Sequence, residues 1–600
     1  MKLRKQFGEL RSRFQSVPEH TPLEITTAEL AEMLQCTPRT MITLLQRMQE
    51  EGWLSWVPKR GRANRSELVF TVPLQRVILE EAEELVEKNN MQAALELLRS
   101  TEMGPGSLTQ EWLARQFGVQ TVRDGHRRSD MLRFPLPQII HTLDPAKILF
   151  SGESHLVQQL FDGLVRSDSK GGLHPHAAHA WEADSGRTQW TFYLRKGIRF
   201  QHGRELTSED VRYTLDRLIR LAPHGLFSWV YRGIEKMETP DEYTVRIKLD
   251  RPNELFPAFL ASSRASLVPK DLCEELGDQF GQHPTGTGPY RLAERYGDVW
   301  SLVAFEDYFQ GRGFLDRIEV WTFSEEKLRL QSVPAPSFQL MHNVRLPERE
   351  AGSWQEIRQT GMTCKFLTVP HKPEGVLTDP VLRAAFNRLL NRELLLERLS
   401  GDVVDSVDSF WPVRTIGEAN AVCREEGNAC GSEDPKLGME PGLPPLKLIT
   451  IPEYEKDAKL IREVCAEVGV SIELELLSAE DFNSEKRLTA DLLLFAVTLD
   501  EQRELRLIDL FTSIRQHADH ELGREMTSLM NEIRCEVDPE IRIDLFLEIE
   551  ELLDQSHTLL FLYRKSLKTA FHPSIRGVSL ESLGWVRFRD IWFTDKKDWL

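Results

Sequence analysis

Six hundred residues exceed what one hydrophobic core usually serves, so several domains are expected. Hydrophobic residues at 41% and aromatic residues at 8% are ordinary for a globular protein, and no run approaches the ~20 apolar residues that span a bilayer. The net charge of −18 excludes a general polyanion binder, but residues 1–75 carry 11 Lys and Arg against 8 Asp and Glu, leaving −21 on the other 525. A basic module on an acidic body is suited to local contact with phosphates.

The first residues, MKLRKQFGELRSRF, are charged throughout and lack the apolar stretch of a secretory signal, so a cytoplasmic protein without a membrane partner is expected. The seven cysteines, Cys36, Cys273, Cys364, Cys423, Cys430, Cys465 and Cys535, are odd in number and form no CxxC. They are expected as free thiols.

Lys2 to Phe14 has helical spacing, with Leu3, Phe7, Leu10 and Phe14 on one face. Leu23–Ile25 is a short extended segment. Thr26 or Thr27 can cap a helix through Leu34, with Glu29 placed to complete a capping box. Gln35-Cys36 is a turn. Thr37 is a good N-cap and Pro38 a good first helical residue, because that position needs no backbone donor.

The helix from Pro38 runs to about Glu51, with Met41, Leu44, Leu45 and Met48 as its inner stripe. Arg39, Thr40, Thr43 and Arg47 lie on the other side, where the second helix of a helix-turn-helix reads base edges. Trp53–Val57 and Leu68–Phe70 read as two strands. Between them Lys59, Arg60, Arg62 and Arg65 form a cationic turn, the tip of a β-wing. An oligomerisation domain with a solvated basic loop is the alternative. The run from Glu29 to Phe70 resembles the N-terminal domain of the SgrR family of bacterial transcription regulators, with Arg62-Ala63 departing from that family's glycine-rich tip. The resemblance implies DNA binding by Thr37, Arg39, Thr40, Thr43, Arg47, Lys59, Arg60, Arg62 and Arg65.

Val77–Arg99 reads as one long amphipathic helix, Leu108–Phe117 as another, and Arg123–Arg128 as a polar tail. Residues 76–128 are thus expected as a helical connector. Beyond them strand and helix signals alternate. His141-Thr142-Leu143-Asp144-Pro145, the helix Ser154–Leu164, Gly172–Pro175, a helix beginning at Ala178–Trp181, the strand Gln189–Leu194, Arg195–Phe200 and Leu206–Val211 follow in order. With Pro284–Tyr290, Phe314–Ile318 and the Asp379–Arg392 helix, this resembles the family 5 (peptide/nickel-type) solute-binding proteins. Asn391 stands where that family has Asp.

The resemblance implies a multidomain chain: an α+β winged helix-turn-helix over 1–75, then a two-lobed α/β periplasmic-binding-protein-like (type II) domain over 129–600. Lobe one is expected at 129–350 and 556–600, and lobe two at 351–555, with Gly417–Leu446 as a surface loop. In peptide-binding members an acid meets the ligand ammonium. Asp500 occupies that place by resemblance, but Val497 replaces the family's tryptophan, so the solute is expected to be a sugar-related metabolite or a peptide-like molecule.

A metal would want facing imidazoles and usually a carboxylate, whereas His174, His176 and His179 fall in a block that, by the resemblance, begins a structural helix; Gly286-Thr287-Gly288 lacks a P-loop lysine. No metal, cofactor or catalytic constellation is expected, and hence no enzyme. The reading is a one-component transcription regulator with operator DNA and a small solute as partners. Homodimerisation and contact with RNA polymerase are left open. The alternative is a transport-type solute-binding protein using its N-terminal module for assembly.

Overall fold

The computed structural model describes all residues except 1, 60–64, 89, 101–111, 113–116, 125–126, 137, 169–170, 323–339, 343–354, 373–374, 400–403, 412–443, 581–584 and 595–600. Arg60, Arg62, most of the expected helix Leu108–Phe117 and nearly all of the loop Gly417–Leu446 lie outside the described residues. The chain forms two compact units. One is Met1–Ile139 with Ala293–Leu302 and Arg317–Gln339; the other is Ile140–Leu292, Val303–Asp316 and Leu340–Leu600.

The first unit begins with α1 (Lys2–Ser12), β1 (Pro22–Ile25), α2 (Thr27–Met33), α3 (Pro38–Glu50), β2 (Leu54–Val57) and β3 (Ser66–Phe70). Local chemistry sets the boundaries. The Thr26 hydroxyl accepts from Glu29 N–H while Glu29 accepts from Thr26 N–H, closing both ends of a capping box. Thr37 accepts from Thr40 N–H, Pro38 fills the first helical position, and Gly52 ends the helix at φ +74°.

β3 is the central strand of a three-stranded antiparallel sheet, with β1 and β2 on either side. Phe7, Leu10, Leu30, Met41, Leu45, Met48, Trp53, Leu68 and Phe70 make one core beneath it. Arg11 stacks on the Phe70 ring at 4.8 Å and binds Glu19 at 2.9 Å, which lets a cation lie against the apolar layer.

The helix expected over Val77–Arg99 is two helices, α4 (Leu74–Glu87) and α5 (Met91–Ser100). The break follows from Asn90, whose side chain accepts from Ala93 N–H and so caps α5 rather than continuing α4. Arg4 pairs with Glu84 through both carboxylate oxygens and ties α1 to α4. The expected polar tail Arg123–Arg128 is instead part of a hairpin of β4 (Gly118–Asp124) and β5 (Arg127–Leu136). β5 then pairs in parallel with Arg317–Thr322, a non-local partner invisible to local pattern, in a five-stranded sheet.

The second unit contains a four-stranded antiparallel sheet and a larger mixed sheet. The first has the order Ile234–Asp241, Thr244–Leu249, Gln189–Leu194, Ala178–Ala183. Ala178–Trp181 was expected to open a helix; it is an edge strand because it pairs with Gln189–Leu194 across a short turn. The larger sheet centres on the long antiparallel pair Gln355–Thr368 and Leu559–Phe571, with Leu446–Thr450 parallel to both of its neighbours. One continuous apolar core joins residues such as Phe227, Tyr231, Phe256 and Phe259 to Leu507, Phe511, Phe546 and Phe561.

Gly286 and Gly288 belong to a packing turn. A Cβ at Gly286 would meet Leu160 O at 2.2 Å, so the backbone contact itself demands glycine.

Candidate nucleic-acid interface and ligand-binding domain

The residues picked out on α3 lie on its outer side. Thr37, Arg39, Thr40, Thr43 and Arg47 are exposed, while Met41, Leu44, Leu45 and Met48 are buried. The hydroxyls are already engaged: Thr37 and Thr40 bond each other at 2.8 Å, and Thr43 donates to Arg39 O at 3.2 Å. Among the described residues no ion pair or side-chain hydrogen bond holds the Arg39 or Arg47 guanidinium. Two long cations are thus left in water on a helix whose other face is anchored in the core.

Lys59 and Arg65 flank the wing tip and are treated differently. Lys59 Nζ reaches Glu24 Oε1 at 3.2 Å, and Arg65 Nη2 reaches Glu29 Oε1 at 3.2 Å. Glu29 has its carboxyl held below the ordinary range, chiefly because Thr26 N–H donates to it. These pairs are solvated, so each contributes little to stability.

Asp500 is buried in the bend that precedes the helix Arg503–Ile514. Arg506 grips it with two bonds, Nε to Oδ1 at 2.9 Å and Nη2 to Oδ2 at 2.7 Å, and Gln502 N–H adds a third at 3.0 Å. The acid expected to meet a solute is therefore met by an internal guanidinium. One turn on, Asp509 accepts from Phe227 N–H at 2.8 Å, and Phe227 itself lies in the left-handed region at φ 63°. Burial pushes the Asp509 carboxyl up to about 7.

The histidines form no common site. His174 bonds Asp168 at 2.8 Å. His176 bonds Asp162 at 2.6 Å, and Asp162 also accepts from Tyr308 and Thr287. His179 lines a surface groove of about 640 Å³ with Tyr193, Lys196, Asp241 and Tyr243. Asn391 caps the helix Arg392–Arg398 by accepting from Leu394 N–H, so amide and carboxylate serve that position alike.

Sequence reasoning passed over Ile42 and Gln46, both exposed on α3. Counting residues opposite the buried stripe was the signal that could have found them. It also passed over Glu24 and Arg506, which neutralise two of the residues it chose.

Residues 172–513 match the model for bacterial extracellular solute-binding proteins, family 5 Middle, which is more than half of the chain. The chain belongs to the family 5 solute-binding proteins. Residues 2–120 match the model for the sugar transport-related sRNA regulator N-terminus, so this family 5 member carries an SgrR-type module ahead of its solute-binding domain.

The relatives align over nearly the whole chain. The HTH-type transcriptional regulators SgrR of Yersinia enterocolitica and Pectobacterium atrosepticum are each 28% identical, over 99% of this chain and 99% and 98% of theirs. YhjP of Bacillus subtilis is 27% identical over 95% of this chain and 96% of its own length.

Among solved structures, similar folds include NikA of Brucella suis in complex with Fe(III)-EDTA, with TM-score 0.64 and 17% identity over 77% of this chain and 100% of that one. The binding protein AgaA of A. tumefaciens R10 in complex with agropinic acid gives TM-score 0.62 at 19% identity, over 78% and 99%. The murein tripeptide binding protein MppA of Escherichia coli gives 0.63 at 18%, over 78% and 99%. Together with the family match, these folds give a two-lobed type II binding-protein fold following the N-terminal module.

Proposed function

We infer that the protein is a one-component transcription regulator, which binds double-stranded operator DNA through its winged helix and senses a small solute with its family 5 domain. The observation that carries this reading is the outer face of α3, where exposed Arg39 and Arg47 have side chains without partners among the described residues, on a helix whose inner face is fully packed. A folded helix that keeps long cations solvated is prepared for an external anion at little cost to its own stability. Relatives of nearly the same length that carry the regulator name add support.

In this reading Arg39 and Thr43 approach base edges. Thr37, Thr40 and Arg47 approach the flanking backbone, and Lys59, Arg60, Arg62 and Arg65 approach phosphates across the wing. The domains are 1–75 for DNA, 76–128 as connector and 129–600 as sensor, with lobes 129–350 plus 556–600 and 351–555. Operator DNA puts the working protein in the cytoplasm. A sugar-related metabolite or a peptide-like molecule is the solute class, and a solute ammonium reaches Asp500 only by exchanging with Arg506. Solute and operator must alter each other's affinity by the same factor.

The test is a footprint on DNA upstream of the protein's own operon, with wild type and Arg39→Ala. Protection that Arg39→Ala weakens at least tenfold, and that shifts when a bound solute is added, supports the reading. No protection by wild type at moderate salt sinks it and favours a transport-type binding protein.

A further inference from the structure

The geometry of α3 points to two base-reading residues beyond the cations and threonines: Gln46 and Ile42. This rests on the DNA-binding reading above. A helix turns about 100° per residue. With Met41, Leu44, Leu45 and Met48 buried, the line opposite them runs through Arg39, Thr43, Gln46 and Glu50. Thr40 and Arg47 lie to one side of that line, and Ile42 to the other. Gln46 is thus more central than either Thr40 or Arg47.

The chemistry along that line is uneven. The Thr43 hydroxyl donates to Arg39 O, and the Thr40 hydroxyl is paired with Thr37. The Gln46 amide makes no hydrogen bond among the described residues, so both its donor and its acceptor are available. A side-chain amide offers the donor and acceptor pair that matches adenine N7 and N6 in the major groove. Ile42 is 43% exposed, and a branched apolar side chain beside an amide and a guanidinium suits the thymine methyl. A lone exposed isoleucine is common on protein surfaces. Its position between Arg39 and Gln46, on the side facing away from Arg47, is what assigns it a role.

The rise along the helix sets the order of bases. Ile42 and Gln46 are four residues apart, about 6 Å, or roughly two base-pair rises. Arg39 and Gln46 are about 10 Å apart, or roughly three. Glu50 closes the line, because a carboxylate disfavours the approach of phosphate. The half-site read by α3 is therefore short: a guanine at the Arg39 end, then A·T pairs within about three steps.

The experiment uses the full-length protein and duplexes it selects from a randomised pool. Single thymines are replaced by deoxyuridine, which removes only the methyl, and single adenines by 7-deaza-adenine, which removes N7. Wild type is expected to lose about fourfold at one uridine position, the worth of one buried methyl group. It is expected to lose about tenfold at one deaza position nearby, within the range of a bidentate base contact.

Ile42→Ala is expected to be indifferent to that uridine, and Gln46→Ala to that deaza-adenine. Both side chains are exposed, so circular dichroism should show native folding. A Gln46→Glu variant, which keeps the acceptor and loses the donor, should change the preferred base. If wild type selects a site but both alanine variants keep its affinity and base preferences, the assignment is overturned while DNA binding stands. If Ile42→Ala changes only the oligomeric mass, Ile42 is a protein contact and the assignment is equally overturned. If wild type selects no site at all, the DNA-binding reading fails first.

Discussion

The outer face of α3 and the start of the helix Arg503–Ile514 both present arginines, yet the fold handles them in opposite ways. Arg39 and Arg47 are exposed and their guanidinia have no partner among the described residues. Arg506 is clamped on Asp500, whose side chain is fully buried, and lies 5.9 Å from the Phe227 ring. Water satisfies the first pair, so substitution there costs affinity for an external partner and little else. The second arginine was taken out of water, so its carboxylate is a condition of folding. The contrast separates residues kept for a ligand from residues consumed by the structure, and each half can be broken separately.

The largest effect is expected at Asp500. Asp500→Ala leaves Arg506 buried without its counter-charge, a loss of about 3–5 kcal/mol in a urea titration. The double change Asp500→Ala with Arg506→Met should recover most of that, because two well-packed apolar groups replace an ion pair. A single Asp500→Ala of near-native stability would mean that water or solute reaches the carboxylate, and the contrast with α3 would collapse.

Next comes the support beneath the DNA face. Leu45 is fully buried under α3, and Leu45→Ala is expected to cost about 2–5 kcal/mol through lost contacts and a cavity. DNA binding should fall with the folding of the module. Arg39→Ala, by comparison, should change stability by no more than about 0.5 kcal/mol while weakening the footprint. Hydrogen exchange of the α3 amides alongside gel-shift titration separates these outcomes.

How much was legible in the sequence divides along the same boundary. Boundaries and inner stripe of α3 could be read because their causes lie within a few residues: Thr26 with Glu29, Thr37 with Pro38, and apolar spacing over Met41–Met48. The fate of Asp500 could not, because its partner sits beyond a turn, on the next helix. Lys365 and Asp457 are a stronger case. They are a buried pair 92 residues apart, and no pattern in either neighbourhood announces the other. Ala178–Trp181 reads locally as a helix start, yet it belongs to the strand Ala178–Ala183, because the strand partner Gln189–Leu194 supplies the deciding hydrogen bonds. Gln46 was visible by counting, but attention to cations and hydroxyls passed over an uncharged amide.

Two buried acids give the second unit a pH dependence. Burial pushes Asp509 up to about 7 and Glu550 up to about 8. The unfolded chain loses these protons near pH 4, whereas the folded chain keeps them to pH 7 or 8. Between those values the folded state holds more protons, so stability falls as pH rises, and the loss is complete above the folded values. For Asp509 the decline is on the order of 3 kcal/mol between about pH 4 and 7, and Asp509→Asn should flatten it. Denaturation at intervals from pH 5 to 8.5 measures the slope. Equal slopes in wild type and variant would show that Arg506 and Arg264 already hold Asp509 ionised.

Thr37→Ala removes the N-cap of α3, a loss of about 1 kcal/mol. It also frees the Thr40 hydroxyl, so its effect on DNA should exceed that of a cap removed from α2 by Thr26→Ala. Equal effects of the two variants on the footprint would make Thr37 a structural cap alone.

The smallest effect on stability, and the finest test of the contrast, is at Glu24. Its pair with Lys59 is exposed on both sides, 48% for the lysine side chain and 66% for the glutamate. Glu24→Gln should therefore change the unfolding free energy by less than about 0.5 kcal/mol. Its effect on DNA runs the other way. Glu24 competes with phosphate for Lys59, so removing its charge should tighten binding severalfold at low salt. If Lys59 then gains a phosphate contact, the plot of log affinity against log salt steepens by about 0.9 for B-DNA. Lys59→Ala in the same background should erase both changes. Tighter binding that survives loss of Lys59 would mean that Glu24 repels DNA on its own, and that the wing cation never needed to be released.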